Sequence, residues 1–203
     1  MHSIHDRELL DTLESLGGQS VQLQVWRVTW KTRDVLDVGG GGRWNHPGKP
    51  DAIYTSLEPD GAIAEIYHHL SLAPVLSSAD KVLHSLDVRT ETTLDLTDAG
   101  TLRRLGLTSE MLDSDDPSAT REVAHAAFLL DHDSLLVPSL RWECANLVVF
   151  SDRIDETRIQ AGQAKSINWP AWSDRHGDEL ARVRSERPSV VNALKTRGLG
   201  SSP

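Results

Sequence analysis

A glycine-rich segment in the first quarter of the chain could bring backbone amides close to a phosphate group. Four consecutive glycines, residues 39–42, are followed directly by Arg43, with Pro47 and Pro50 close behind. The segment is not the dinucleotide-binding fingerprint, because the two prolines oppose a helix at this point. It is not a P-loop either, because no Lys-Ser/Thr pair follows. The glycines alone leave two interpretations open, a phosphate-binding loop and a flexible turn.

Two charged side chains belong to otherwise apolar faces of predicted elements. Arg27 continues the valine and leucine face of a predicted strand over residues 21–30. Glu65 lies at the edge of the apolar stripe of a predicted helix over residues 58–70. Each also has an ordinary interpretation, since arginines at strand ends and glutamates on helices commonly reach water.

The elements that must position these residues are short strands mixed with short helices. We predict strands over residues 21–30, 52–56, 82–88, 92–96, 135–137 and 146–150, and helices over residues 6–16, 58–70, 99–105, 116–130 and 178–195. Residues 111–118 have the composition of an acidic loop, and the chain is polar from Ser151 onward, ending in a frayed tail over residues 198–203. This mixture predicts an α+β fold rather than a series of βαβ units.

The composition argues against several classes of protein. A chain of 203 residues with 38% hydrophobic and 25% charged residues is ordinary for a globular domain with its own core. The formal net charge of −9 argues against direct nucleic-acid binding as the main task, because a phosphate backbone repels an acidic chain. No apolar run approaches the roughly 20 residues of a membrane helix, so we expect no membrane partner.

The cysteine and histidine content favours neither disulfides nor metal. Cys144 is the only cysteine, so no internal disulfide can form, and we expect a protein of the reducing cytoplasm. Cys144 has no evident base near it in sequence and is predicted to be an inert thiol. His68, His69 and His125 lack the spacing of zinc ligands, and we predict no metal.

The chemically capable residues occur in a characteristic order along the chain. The order is W-R-V at residues 26–28, G-G-R-W-N at 41–45, I-Y-T-S at 53–56, A-E at 64–65, V-P-S at 137–139, and Asn146. From about Val25 to Phe150 this order resembles the RES domain, named for its arginine, glutamate and serine. Two positions depart from the family pattern: Val28 stands where a tyrosine is common, and Val38 where an alanine-arginine pair is common.

The resemblance implies a fold and a domain organisation. RES domains are similar to ADP-ribosyltransferases, with a split β-sheet core and short helices around a cleft. We therefore expect an N-terminal helical lead-in over residues 1–20, a RES domain over residues 21–155, and a C-terminal extension over residues 156–203 that packs on or near the core.

The resemblance also implies an active site. Carried over position by position, the catalytic residues are Arg27, Tyr54, Glu65 and Ser139, and the substrate-binding residues are Arg43, Gly41, Gly42 and Asn146. Members of the family degrade NAD⁺ by hydrolysis or phosphorolysis, and some ADP-ribosylate a protein. They are usually toxins encoded beside an Xre-like antitoxin, so we expect NAD⁺ as substrate and such an antitoxin as partner.

The chemistry of NAD⁺ cleavage suits these residue types. Breaking the nicotinamide–ribose bond makes the ribose cationic, and Glu65 would stabilise that charge. Arg27 and Arg43 would bind the pyrophosphate, and Tyr54 would offer a face for the nicotinamide. Ser139 could donate to the substrate or orient Glu65. Water, phosphate or a protein side chain remain open as acceptors of the ADP-ribosyl group. A non-catalytic binding module is the alternative to an enzyme. Homo-oligomerisation is left open.

Overall fold

The computed structural model, which describes residues 7–48, 50–71 and 80–185, contains one sheet that curves back on itself. Its strands are β1 Gln19–Trp30, β2 Ala52–Ser56, β3 Lys81–Asp95, β4 Ser134–Pro138, β5 Ala145–Phe150 and β6 Ile159–Ser166. Their order is β1-β2-β5-β4-β3-β6, and β1 also pairs with β3, so five strands close a ring and β6 extends it at β3. The β3–β4 pair is parallel, and the other pairs are antiparallel.

The ring has little strand pairing at one seam, between β1 and β2. β1 and β3 are paired along almost their whole length, from Gln19↔Thr93 to Trp30↔Lys81. β1 and β2, in contrast, share the single register pair Trp26↔Ser56. The two strands therefore diverge beyond this point, which leaves room between them for a cavity.

Alternating apolar residues explain why the central strands are buried on both faces. In β5, Leu147 and Val149 belong to the cluster inside the ring, whereas Val148 and Phe150 belong to the cluster beneath the helices. All four are fully buried. Because successive side chains of a strand point to opposite faces, one short segment contributes to both cores.

Helices cover two sides of the sheet. They are α1 Arg7–Leu16, α2 Pro59–Ser71, α3 Ala99–Arg104, α4 Ser109–Asp113, α5 Ser118–Leu129 and α6 Trp169–Ser185. Leucines, valines and alanines of α1, α3, α4 and α5 pack in the outer cluster, while α2 and α6 share a separate cluster with Val28 and Trp142. This is the predicted α+β class, with a barrel-like sheet. Within the described residues, no helix is long and apolar enough to cross a membrane.

Two expectations for the middle of the chain are wrong. The strands expected at 82–88 and 92–96 are one strand, β3, because Thr90 is fully buried between exposed Arg89 and Glu91, which preserves the alternation through a polar stretch. The acidic loop expected from residue 111 instead starts inside helix α4. Thr108 caps this helix by accepting the Met111 N–H at 3.2 Å, and Leu112 packs in the outer cluster.

The sequence predicts a polar C-terminal region from Ser151 onward, with an extension that packs on or near the core, and the structure has a strand and a helix there. Strand β6 pairs antiparallel with β3, although only Ile159 of its eight residues is buried. Helix α6 begins at Trp169 rather than at residue 178, because Asn168 accepts hydrogen bonds from the Ala171 and Trp172 amides. Residues 186–195 of the predicted helix and the predicted tail lie outside the described residues.

Two tryptophan side chains and a histidine pack α6 against the start of α2. The Trp172 indole N–H donates to Asp60 Oδ1 at 2.8 Å, and the Trp142 indole N–H donates to Glu58 Oε2 at 3.1 Å. The His176 ring lies 5.1 Å from the Trp172 ring and 5.2 Å from the Trp142 ring. The start of α2 is therefore held by both α6 and the turn that follows β4.

Gly61 lets α2 lie directly against β2. A Cβ built at Gly61 would come within 2.4 Å of Ser56 Oγ and 2.6 Å of Cys144 Sγ. Ser56 is 1% exposed and Cys144 is 4% exposed, so neither side chain has space to move away. The close packing of α2 on the sheet therefore requires glycine at position 61.

We expect Gly61→Ala to destabilise the protein. Overpacking costs about 1–3 kcal/mol, which exceeds the gain of about 1 kcal/mol from replacing glycine by alanine inside a helix. Urea denaturation of the purified variant measures the net change in the free energy of unfolding.

Gly177→Ala is the matched control, since Gly177 also lies inside a helix and a Cβ there meets nothing within 4 Å. We expect this variant to be stabilised by about 0.5–1 kcal/mol. Equal effects at the two glycines would contradict the close packing of α2 on β2.

Candidate active site

A cavity of about 440 Å³ opens at the seam between β1 and β2. Its walls come from β1, the glycine-rich segment, β2, α2, the segment before α5, and the β4–β5 hairpin. The predicted site residues that line it are Arg27, Gly41, Gly42, Arg43, Tyr54, Glu65 and Asn146. Seven of the eight predicted residues, distant along the chain, thus meet around one cavity.

Glu65 presents a fixed carboxylate to this cavity. It belongs to α2 and is partly exposed. Its Oε1 accepts the Ser139 hydroxyl at 2.9 Å and the Asn146 amide at 3.0 Å. The two donors come from the end of β4 and from β5, so the sheet determines where the helix carboxylate points.

Ser139 is the predicted residue that does not line the cavity. It is fully buried, and its backbone N–H donates to the Cys144 carbonyl at 2.9 Å, which closes the β4–β5 hairpin. Its Oγ accepts the Arg141 amide and donates to Glu65. Of the two roles left open by the sequence, this geometry favours orienting Glu65 over contact with a ligand.

Arg43 is a cation of the cavity wall whose charge interacts with that of Glu65. Its Nη2 donates to the Ser114 carbonyl at 2.9 Å. Burial lowers the pKa of the Arg43 guanidinium, and Glu65, followed by Asp113 and Asp115, acts in the opposite direction. The guanidinium stays charged, because the ordinary pKa of arginine lies far above neutrality.

Arg27 is engaged with the chain that follows β1. Its two terminal nitrogens donate to the carbonyls of Val35 and Asp37. Burial lowers the pKa of Arg27, while Asp37 and Asp34 act to raise it. The side chain thus contributes positive charge to the cavity wall and also holds the loop that leads to the glycines.

Tyr54 fastens the other end of the glycine-rich segment. Its hydroxyl accepts the Trp44 amide at 2.9 Å and donates to Asn45 Oδ1 at 2.8 Å. Burial raises the pKa of Tyr54 well above its usual value, so the hydroxyl remains a donor. Tyr54 also lines the cavity, and its stacking role stays a prediction.

Gly41 and Gly42 have a structural role that differs from the predicted approach of their amides to a phosphate. A Cβ at Gly42 would lie 2.5 Å from the Tyr54 hydroxyl, and the Gly42 amide donates to the Asn45 carbonyl at 3.1 Å. Gly41 has φ +105°, and a Cβ there would lie 2.8 Å from the Pro47 nitrogen. The glycines allow a tight turn against Tyr54, and the Gly42 N–H is already used within that turn.

Two polar atoms of the cavity wall are buried without a hydrogen-bond partner among the described residues. They are Nη1 of Arg43, a donor, and Oδ1 of Asn146, an acceptor. Buried polar groups are normally paired, because leaving one unpaired costs about 1–3 kcal/mol. Asn146 donates to Glu65, and Arg43 interacts with the charge of Glu65. The cavity wall therefore offers both a donor and an acceptor to a polar ligand.

Of the alternative candidates, His69 lines the cavity and Cys144 does not. Cys144 is buried, and burial raises the pKa of its thiol to about 12, which agrees with the prediction of an inert thiol. Trp44 is 4% exposed, packs in the outer cluster and also lines the cavity. In the described part of the chain, no three or more His, Cys, Asp or Glu side chains are grouped so that they could hold a metal ion.

Several residues of the site have no signal in the sequence. Thr120 Oγ1 donates to the Arg43 carbonyl at 2.6 Å, and Arg121 Nε donates to the Gly42 carbonyl at 2.8 Å. The start of α5 thereby supports the G-G-R turn. Arg141 and Asp115 line the cavity as well. These roles depend on which segments meet in space, which local patterning does not reveal.

Comparison with known proteins gives a consistent family assignment. The family model described as "RES domain" matches residues 24–174. The NAD(+) phosphorylase MbcT of Mycobacterium tuberculosis is 30% identical over 172 residues, which is 80% of this chain and 91% of that protein. A second protein of M. tuberculosis, named as a probable NAD(+) phosphorylase, is 34% identical over 117 residues, covering 55% of this chain and 54% of its own length.

A solved structure agrees with these relatives. A chain of the crystal structure of the M. tuberculosis MbcT–MbcA toxin–antitoxin complex superposes with a TM-score of 0.74 and 26% sequence identity. The superposition covers 89% of this chain and 98% of that chain. The similarity therefore extends over most of this chain.

We expect Tyr54→Phe to destabilise the protein by about 1–3 kcal/mol, because the buried Trp44 amide loses its acceptor. Amide hydrogen exchange should become faster at Trp44, and urea denaturation gives the loss in free energy of unfolding. Tyr67→Phe removes the same atom from a ring that packs on Trp172 at 5.5 Å, and we expect a smaller change there. Unchanged protection at Trp44 would contradict the role given to the hydroxyl.

Proposed function

Because the chain belongs to the RES domain family, we propose that it is an enzyme that cleaves the bond between nicotinamide and ribose in NAD⁺. The observation that carries this proposal is the Glu65 carboxylate, fixed by Ser139 and Asn146 in a cavity that it shares with Arg43. The names of the relatives, NAD(+) phosphorylases, support the same reaction.

The carboxylate suits the charge that develops in this reaction. As the glycosidic bond breaks, its electron pair moves to the nicotinamide nitrogen, and positive charge develops on the ribose. A preorganised negative group near that carbon stabilises the transition state more than the ground state. Glu65 needs no reorganisation for this task, since two hydrogen bonds already fix its position.

The arginines suit the pyrophosphate of NAD⁺. We propose that Arg43 contacts it through Nη1, the buried donor that has no partner among the described residues. Arg27 adds positive charge from β1, although its terminal nitrogens are bonded to the Val35 and Asp37 carbonyls. We therefore assign Arg27 an electrostatic and loop-holding role, and Arg43 the direct contact.

The remaining predicted residues suit the nicotinamide riboside end. Asn146 Oδ1 is a buried acceptor next to Glu65, placed to receive a ribose hydroxyl or the carboxamide N–H₂. The Tyr54 ring offers a face for the nicotinamide. Gly41 and Gly42 shape the turn that carries Arg43, and Ser139 acts through Glu65.

We further propose that the sheet is an ADP-ribosyltransferase-like split sheet. The single β1–β2 register pair and the cavity at that seam support this proposal. The boundaries at residues 20 and 155 stay predictions. Pairing of β6 with β3, and packing of α6 on α2, support an extension from residue 156 that packs on the core.

Replacing Glu65 by glutamine should abolish most of the activity. Loss of one charge-stabilising group costs about 10²-fold or more in rate, while the isosteric amide can keep a hydrogen bond to Asn146. Nicotinamide release from NAD⁺ by purified enzyme, with phosphate present and absent, measures the effect.

Glu122→Gln is the matched control, because Glu122 is exposed on α5 and does not line the cavity. We expect it to retain wild-type activity. A folded Glu65→Gln variant with wild-type nicotinamide release would overturn the catalytic assignment, and a wild-type chain without any release would overturn the proposed reaction.

A partner is proposed on the same basis. The MbcT chain that superposes on this one was solved with an antitoxin, MbcA. We propose that this chain also binds an antitoxin, of the Xre-like DNA-binding class. Its formal net charge of −9 suits a division in which the partner, and not the enzyme, contacts DNA.

Co-expression with the product of the adjoining gene tests the partner. We propose that the partner covers the cavity. We therefore expect a complex that survives purification and releases nicotinamide more slowly than the enzyme alone. Growth arrest on expressing the enzyme should be relieved by the same protein. Failure to co-purify, together with unrelieved arrest, would rule out this partner.

A further inference from the structure

Trp26 is a cavity residue to which the reaction described above gives no task. It lies on β1, directly before Arg27, and its partly exposed side chain lines the cavity. The same side chain packs against the cluster that α2 shares with α6. An aromatic ring that packs on the core and also borders a cavity is placed to receive a flat ligand.

The strand register places Trp26 on the same face of the sheet as a group that holds Glu65. Trp26 is opposite Ser56, and Ser56 is opposite Asn146. Side chains of directly opposite residues lie on the same face of a sheet. Because neighbouring strands are about 4.8 Å apart, the backbone of Trp26 lies about 10 Å from that of Asn146, which donates to Glu65.

The fold makes no use of the polar edge of the Trp26 ring. The indole N–H groups of Trp142 and Trp172 donate to Glu58 and Asp60 and hold the start of α2. The Trp26 indole N–H, in contrast, has no hydrogen-bond partner among the described residues. No hydrogen bond within the described part of the chain thus accounts for a tryptophan at position 26.

Tyr54 lines the cavity from the other strand of the seam. It precedes Ser56 by two residues on β2 and therefore lies on the same face of the sheet as Ser56 and Trp26. The two strands diverge beyond their single register pair, Trp26↔Ser56. The two aromatic residues thus border the opening from β1 and from β2.

We propose that Trp26 binds the cationic nicotinamide ring of NAD⁺. This rests on the proposed cleavage of NAD⁺. The nicotinamide of NAD⁺ is a pyridinium, and the face of a tryptophan attracts a cation more strongly than that of tyrosine or phenylalanine. Two stacked rings lie about 4.5–7 Å apart between centroids, which is about half of the separation between Trp26 and Asn146. The ribose that follows the nicotinamide then lies beside Asn146 and Glu65.

This contact acts on substrate binding and not on bond cleavage. As the bond to the ribose breaks, its electron pair moves to the ring nitrogen, so the nicotinamide becomes neutral and the attraction for its charge is lost. An interaction that is no stronger in the transition state than in the bound substrate does not raise kcat. Loss of the Trp26 ring should therefore raise the KM for NAD⁺ and should not lower kcat.

Two fragments of NAD⁺ test the assignment without turnover. The probes are 1-methylnicotinamide, which has the cationic ring and no ribose, and ADP, which has the pyrophosphate and no nicotinamide. For Trp26→Leu, we expect the Kd of 1-methylnicotinamide to rise by about fivefold to a hundredfold, the range for loss of base stacking on an aromatic side chain. The Kd of ADP should change by less than about twofold, since other residues bind the pyrophosphate. Calorimetric titration measures both constants.

Two further variants and one spectrum complete the test. Trp26→Phe keeps a ring and should retain most of the affinity for 1-methylnicotinamide. Trp30→Leu is the matched control, because Trp30 is on the same strand, is 41% exposed and is not among the described residues that line the cavity. It should leave both Kd values unchanged. In two-dimensional NMR spectra of the wild type, 1-methylnicotinamide should shift the Trp26 indole N–H signal and leave that of Trp30 in place, a result that needs no variant to fold.

The other outcomes overturn either the contact or the reaction. Equal weakening of both probes by Trp26→Leu gives Trp26 a role in the fold alone, and weakening of ADP alone gives it a role at the adenine end, so either result refutes the proposal. An unshifted Trp26 indole signal, or a lowered kcat at unchanged KM, refutes it as well. All of these leave NAD⁺ cleavage standing, provided that the wild type releases nicotinamide. A wild-type chain that releases none refutes the reaction itself.

Discussion

The structure depends on holding one carboxylate still at the wall of a cavity. A glutamate on a helix normally moves freely in water, and such a side chain loses conformational entropy when it is fixed. Here two donors from adjacent strands compensate, since Ser139 and Asn146 both bond to the same oxygen of Glu65. Helix α2 must then pack at a defined distance from the sheet. Gly61 permits this close packing, and the hydrogen bond from Trp172 to Asp60 maintains it.

The glycine-rich segment has a separate role, which is to position the Arg43 guanidinium in the cavity that it shares with Glu65. Its turn is a folded unit with its own hydrogen bonds, from Gly42 to Asn45 and from Trp44 to Tyr54. Support from Thr120 and Arg121 comes from outside the segment. Glycine at position 42 therefore serves contact with Tyr54, and the positive charge comes from Arg43, which the turn carries.

The sequence predicts much of the fold and less of the site. Strand β2 was predicted with its observed bounds, and α2 within a residue, because their apolar patterns are clear and their ends are marked. Strand β6 has seven exposed residues and no alternation, so only its partner β3 defines it. Glu65 and Arg43 came from the family resemblance and meet at one cavity. Arg141 acquires its position from the hairpin turn, and no spacing rule connects it to Glu65.

The length of helix α6 has a consequence for how this protein is divided into parts. The segment that matches the family model ends at residue 174, only six residues into a helix that runs from Trp169 to Ser185. A fragment cut there keeps every side chain around the cavity but discards His176 and the buried Val183. The segment that matches the family model is thus shorter than the segment that packs together, since Leu180 of α6 also packs against the cluster of α2.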